Sequence, residues 1–202
     1  MSTRHCVVPT NLGDDLTHAL EVLDEALSHL AGWLEDEDPP TWPPSLADGA
    51  AADALVRIAA ALRPTQGPDD GPRWFAPHSR YEHAPLRFVD VEQADLDTLA
   101  AAAAAMDRAL HRTGAPDLAK ALESAAAAAD VTAVDVVMTL VRLHGLLNLA
   151  STRDVEQLHA AAAAAGSRDL ILSSAQEDGY QRTVARLSGM WALGDGLEHF
   201  LY

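Results

Sequence analysis

Apolar positions in this chain recur at helical spacing wherever a segment is long enough to show a period. The densest case is residues 131–149, V-T-A-V-D-V-V-M-T-L-V-R-L-H-G-L-L-N-L, with twelve apolar residues in nineteen and no proline. A helix that is apolar over most of its circumference belongs inside a bundle, because no broad water-facing side remains. At 100° per residue, Thr132, Asp135, Thr139 and Arg142 form one narrow polar stripe. His144 and Asn148 fall opposite it, beside Val137, Leu140 and Val141. The pattern therefore predicts a buried central helix over 131–149 that encloses an i,i+4 His–Asn pair.

The other periodic segments surround that one. From Asn11 to Glu35, leucines at 16, 20, 23, 27, 30 and 34 alternate spacings of four and three, a coiled-coil-like seam. His18, Glu21, Glu25 and His29 face away from it. Pro39 and Pro40 end that helix, and P-P-T-W-P-P makes a stiff connector whose Trp42 is expected to dock on the bundle. A second helix is expected over Asp48–Leu62, burying Leu55, Ile58, Ala59 and Leu62. A third runs to about Arg112 with Asp90 as its cap, a fourth from Pro116 to Ala129, and Asp130 is expected to cap the central helix. Ser151–Ala165, a short Ser167–Gln176 segment and a final stretch through Tyr180, Val184, Leu187 and Trp191 complete the set. The fold class this predicts is all-α: a helical bundle of six to eight helices in a single domain, 1–202.

Residues 64–89 break the pattern. Prolines at 64, 68, 72, 77 and 85 leave no room for a long helix, so an irregular loop is expected, with Leu86–Val91 a short extended piece. The loop holds Trp74, Phe75, Tyr81 and Phe88 together with Arg73, Arg80 and Arg87, a cationic and aromatic patch in an otherwise anionic chain. Loops this long inside compact domains tend to be functional or disordered.

Composition sharpens the fold and narrows the partners. Alanine supplies 40 of 202 residues and aromatics only 5%, which favours closely packed helices over a sheet. Net charge is −16, and residues 1–56 carry eleven acids against Arg4 alone. Such a field repels phosphate backbones, so direct nucleic-acid binding is not expected, whereas a basic protein partner or a role as a nucleic-acid mimic is compatible with it. No apolar run is long enough to span a bilayer. One cysteine, Cys6, gives no disulfide framework, and the expected location is the cytoplasm.

Candidate chemistry is sparse. His144 and Asn148 would line a cavity, the amide fixing the tautomer of an imidazole that acts as acid or base. Arg73, Trp74, Arg80, Tyr81 and Arg87 would close it and hold a carboxylate or phosphate. Four histidines follow an acid at i,i+4: Asp14/His18, Glu25/His29, Asp107/His111 and Asp195/His199, a spacing that also serves plain helix stability. Of these only Asp107/His111 flanks an apolar stripe. With Glu156 and His159, the one Glu-x-x-His of the chain, it forms the candidate metal set, although bundle di-metal sites need a fuller complement. No phosphate-cradling glycine loop, G-x-S-x-G, H-E-x-x-H or paired C-x-x-C occurs, and no cofactor is indicated.

Three function classes follow. A soluble helical module that encloses a small, mainly apolar organic ligand between helices comes first. A helical-bundle enzyme using buried His and carboxylate groups, with or without metal, is the alternative. The third is an interaction protein that pairs with another copy through its leucine seam or C-terminal aromatics, or meets a basic partner.

Overall fold

A computed structural model describes residues 2–9, 13–36, 42–63, 73–75, 86–111, 115–148, 160 and 169–171. In chain order these form β1 (Thr3–Pro9), α1 (Gly13–Asp36), a 3-10 turn (Ala47–Gly49), α2 (Ala50–Leu62), β2 (Arg73–Phe75) and β3 (Leu86–Glu92). Then come α3 (Gln93–His111), α4 (Pro116–Ala128), α5 (Ala133–Asn148) and β4 (Asp169–Ile171). The fold is mostly helical, and the all-α expectation is corrected by two small pairs of strands, β1 with β3 and β2 with β4.

By contact, the chain divides into two compact units. One comprises Met1–Thr3, Asp14–Leu62 and Val91–His144; the other comprises Arg4–Gly13, Arg63–Asp90 and Gly145–Tyr202.

The first unit holds the helices. In α1 most of the predicted seam is core: Leu16, Leu23, Leu27, Leu30 and Leu34 are buried together with Ala26, Leu20 is half-buried, and His18, Glu21, Glu25 and His29 are exposed. Helix α2 packs on α3, and α3 on α4. The facing residues include Leu55, Ile58, Leu96, Leu99, Met106, Leu118 and Leu122, all buried. Alanines at 54, 102, 121 and 126 are fully covered, which is how so alanine-rich a chain closes its helices together.

Two predicted caps are corrected. Strand β3 continues to Glu92, so α3 starts at Gln93 and Asp90 stands in the strand instead of capping the helix. Asp130 ends α4 instead of starting α5. Its N–H donates to Ala127 O at 3.3 Å, and Val131 N–H donates to Ala126 O at 3.0 Å. With Asp130 at φ 55°, these two bonds are the crossed pair of a Schellman C-cap. The cap of α5 is Thr132. Its Oγ1 accepts from Asp135 N–H at 3.1 Å, while Asp135 Oδ2 accepts from Thr132 N–H at 3.0 Å, a reciprocal capping box.

Helix α5 is one-sided. Ala133, Val136, Val137, Leu140, Leu143, Leu146 and Leu147 are buried and span about 180° of the wheel. Val134 and Val141 are 42% and 48% exposed, and they stand on one line with half-buried Met138. Thr132 and Asp135, from the predicted polar stripe, are exposed beside that line. The expectation of a rod covered on every side does not hold for these residues. Val141, expected to share the enclosed face, lies outside it.

In the second unit the strands carry apolar residues on alternate positions. Cys6 and Val8 of β1 are buried, as is Val89 of β3, whereas Asp90 is exposed. Gln93 N–H donates to Ser2 O, and His5 meets Asp90; numbers rise along β1 as they fall along β3, so the two run in opposite directions. Strand β2 pairs in parallel with β4, matching Arg73 with Asp169, Trp74 with Leu170 and Phe75 with Ile171. The expected short helix at Ser167–Gln176 is corrected accordingly, since Asp169–Ile171 is extended. The 64–89 loop is corrected by β2, whereas the extended piece expected at Leu86–Val91 is β3. The helices expected over 151–165 and 180–194 lie outside the described residues, apart from Ala160.

Candidate functional site

Among the described residues, an open cleft lies in the first unit where α1 meets the 3-10 turn and the start of α2. Its walls are Leu27, Leu30, Ala31, Leu46, Gly49, Ala51 and Ala52, without one charged side chain, and its enclosed volume is about 10 Å³. The cleft exists because the chain turns sharply there. Asp48 and Gly49 adopt φ of 53° and 70°, a left-handed pair for which glycine is suited at the second position. A β-carbon built on Gly49 would stand 3.7 Å from that of Ala31, so the turn sits close against α1. Pockets for drug-sized ligands run from roughly 300 to 1,000 Å³. This one has room for about one water-sized group.

The predicted catalytic pair lies on α5. His144 and Asn148 are both half-buried, placed at the margin between the covered face and the Val134–Val141 line. Neither is enclosed as expected. The predicted metal pair, Asp107 and His111, is solvated: side-chain exposures are 57% and 71%. His111 Nδ1 lies 2.9 Å from Asp107 O and 3.2 Å from Asp107 Oδ1, the ordinary i,i+4 arrangement of an exposed helix. No group of three His, Cys, Asp or Glu side chains converges among the described residues. Glu156 and His159 lie outside them. Of the expected ligand-binding set, Arg73 and Trp74 belong to β2 and Arg87 to β3, while Arg80 and Tyr81 lie outside the described residues.

Two polar arrangements were not foreseen. The first ties α2 to α3. Arg57 Nε donates to Asp95 Oδ1 and Oδ2 at 3.1 and 3.0 Å, and its Nη2 donates to Oδ1 at 2.8 Å. Asp95 is a buried charge in the first turn of α3, where the helix dipole and this forked guanidinium both favour the carboxylate. The hydrogen bonds to Asp95 in turn push the Arg57 pKa upward. Its work is structural, because an acid satisfied so completely has little left for a ligand.

The second is on the sheet. His5 Nδ1 and Asp90 Oδ1 are 2.6 Å apart across β1 and β3. An ionised carboxylate only accepts, so Nδ1 carries the proton. This is the orienting half of a nucleophile–His–Asp arrangement. The neighbouring Cys6 cannot complete it. Adjacent strand residues point to opposite faces, and Cys6 is 1% exposed on the covered one. Burial, ahead of the opposing pull of Arg4, pushes its thiol up to about 11, so it stays protonated and inert. The site's legible signal was only that His5 precedes two apolar residues; its partner is 85 positions away.

No single described helix is long and apolar enough to cross a membrane; α4 and α5 pass together by composition, but their axes meet at 86°. The chain matches no protein-family model, no curated protein and no solved structure.

Proposed function

We propose that the protein is a helical binding module for a small, mainly apolar organic ligand, taken up between helices. The observation that carries this reading is the uncharged cleft between α1 and the start of α2, walled by Leu27, Leu30, Leu46 and small residues. The enclosed part of the cleft admits a methyl-sized tip, so the rest of an apolar ligand would lie over its open mouth, held by burial and not by ion pairing. At about 25 cal/mol per Å² of apolar area, such a ligand gains only a few kcal/mol, so millimolar to high-micromolar affinity is expected. The reading takes the chain as six to eight helices, five of them described.

Thermal unfolding across a panel of short alcohols, small rings and short carboxylates tests it. A ligand at a hundred times its dissociation constant stabilises by about 2.7 kcal/mol. The expected result is a raised melting temperature with at least one apolar probe, lost when Ala52→Leu fills the cleft. A melt that no probe moves contradicts the reading.

A second reading, an interaction module, is favoured by one specific observation: Val134 and Val141 stand exposed on one line of α5.

A further inference from the structure

Asp48 is followed by Gly49, one of four Asp-Gly bonds in the chain; the others join Asp70 to Gly71, Asp178 to Gly179 and Asp195 to Gly196. Only the first lies among the described residues. Three features of its turn bear on its chemistry. Asp48 is exposed, and among the described residues no hydrogen bond or ion pair holds its carboxylate. Gly49 has no β-carbon to screen its backbone nitrogen. Both residues take left-handed φ, 53° and 70°, a region where residues that carry a β-carbon are uncommon.

We propose that Asp48 is a site of backbone isomerisation, converting to isoaspartate through a cyclic imide formed with Gly49. The Gly49 nitrogen attacks Asp48 Cγ. A C–N bond forms, a C–O bond of the carboxyl group breaks, and the amide proton leaves with the hydroxyl as water. Water then opens the five-membered ring at either carbonyl. Opening at Cγ restores aspartate. Opening at the main-chain carbonyl routes the chain through Cβ and Cγ and leaves the α-carboxylate free. One water is lost and one is regained, so the conversion draws on no oxidant and no cofactor.

The fold sets the pace. At an Asp48 ψ of 28°, the Gly49 nitrogen is turned away from the side chain, so attack waits for rotation about the Cα–C bond of Asp48. That rotation opens the turn, and the turn is lightly held, since none of Ala47, Asp48 and Gly49 is buried. The step is therefore slower than in an unfolded chain yet accessible to the folded one. Its product lengthens the backbone by one atom where the chain enters α2, and it shifts a wall of the cleft, because Gly49 lines it. No ligand is needed there, so the inference stands or falls apart from the proposed function.

Peptide mapping of the full chain, held folded for weeks at body temperature and neutral pH, tests it. Isoaspartate leaves a peptide's mass unchanged but shifts its elution, and the map keeps the four sites apart. The expected result is isoaspartate accumulating at residue 48 in the folded chain, and faster in guanidinium chloride. Asp48→Asn forms the same ring with loss of ammonia and should convert faster. Gly49→Ala should slow the conversion about tenfold, since a β-carbon then screens the nitrogen. As that change also strains a left-handed position, Asp48→Glu is the second block: its longer side chain would have to close a six-membered ring, and no isomer should appear. A folded wild-type chain that forms none at 48 while the unfolded chain does overturns the proposal, as does a folded Asp48→Asn chain that keeps its amide.

Discussion

Helices α1 and α5 are both rich in apolar residues, and their sequences rank them wrongly. By apolar content α5 is the more deeply set. Yet α1 buries Leu16, Leu23, Leu27, Leu30 and Leu34 and shows water only polar or small side chains on its outer face, while α5 leaves Val134 and Val141 open. Their difference is one of arc. The leucines of α1 recur on a single seam, so one packing surface buries all of them but half-buried Leu20. The apolar residues of α5 spread over more of the wheel than its neighbours cover, and the surplus becomes a ridge. Apolar content alone therefore predicts that a helix is packed, but not how much of it is.

Substitutions sharpen that contrast, beginning with the largest effect. Leu30→Ala should cost about 2–5 kcal/mol in urea unfolding, because the seam is fully covered and the hole cannot collapse easily. A loss under 1 kcal/mol would mean that α1 is peripheral.

Burial on the sheet makes a pH-dependent test of a covered face. The Cys6 thiol is raised from 9.0 to about 11, so the folded chain holds its proton more tightly than the unfolded chain. Stability from this group is fully present below pH 9 and is lost as pH climbs towards 11, by at most about 2–3 kcal/mol. Cys6→Ala should flatten that part of the stability–pH curve. A wild-type curve already flat there would mean the thiol is exposed.

Arg57→Ala should cost about 1–2 kcal/mol, measured by the urea midpoint, since it strands the buried Asp95; the arginine's own exposure keeps the loss moderate. Arg57→Lys should recover only part, lacking the fork that reaches both oxygens. The smallest change is a gain. Asp130→Gly should stabilise by about 0.5 kcal/mol in thermal melts, because a left-handed C-cap position costs any residue with a β-carbon.

What could be read in the sequence follows the range of the forces. The periods of 13–36, 50–62, 93–111, 116–128 and 133–148 are local, and each helix was legible to within a few residues. Of the strands, only Leu86–Glu92 was legible, as the extended piece expected at Leu86–Val91. R-H-C-V-V-P shows no clean alternation, and Thr3–Pro9 becomes a strand by meeting Leu86–Glu92, more than eighty residues away. D-L-I reads equally well as helix and is extended because it pairs with Arg73–Phe75. Asp90, Asp95 and Asp130 show the same limit. All three precede or open a helical period, and only tertiary context sorts them into a histidine's partner, a buried charge and a C-cap. For the site, His144 was placed by its wheel position among apolar residues. The surplus of those residues over their neighbours, which sets its half-buried state, is a property of the packed unit and not of the helix.

Leu140 and Val141 are consecutive and differ in side, which makes them the most direct test of a one-sided α5. Unfolding should be followed in urea at one fixed low micromolar concentration. Leu140→Ala should then cost at least about 2 kcal/mol, and Val141→Ala no more than about 0.5 kcal/mol. Equal losses at the two positions would mean that α5 is enclosed all round, and that the ridge does not exist.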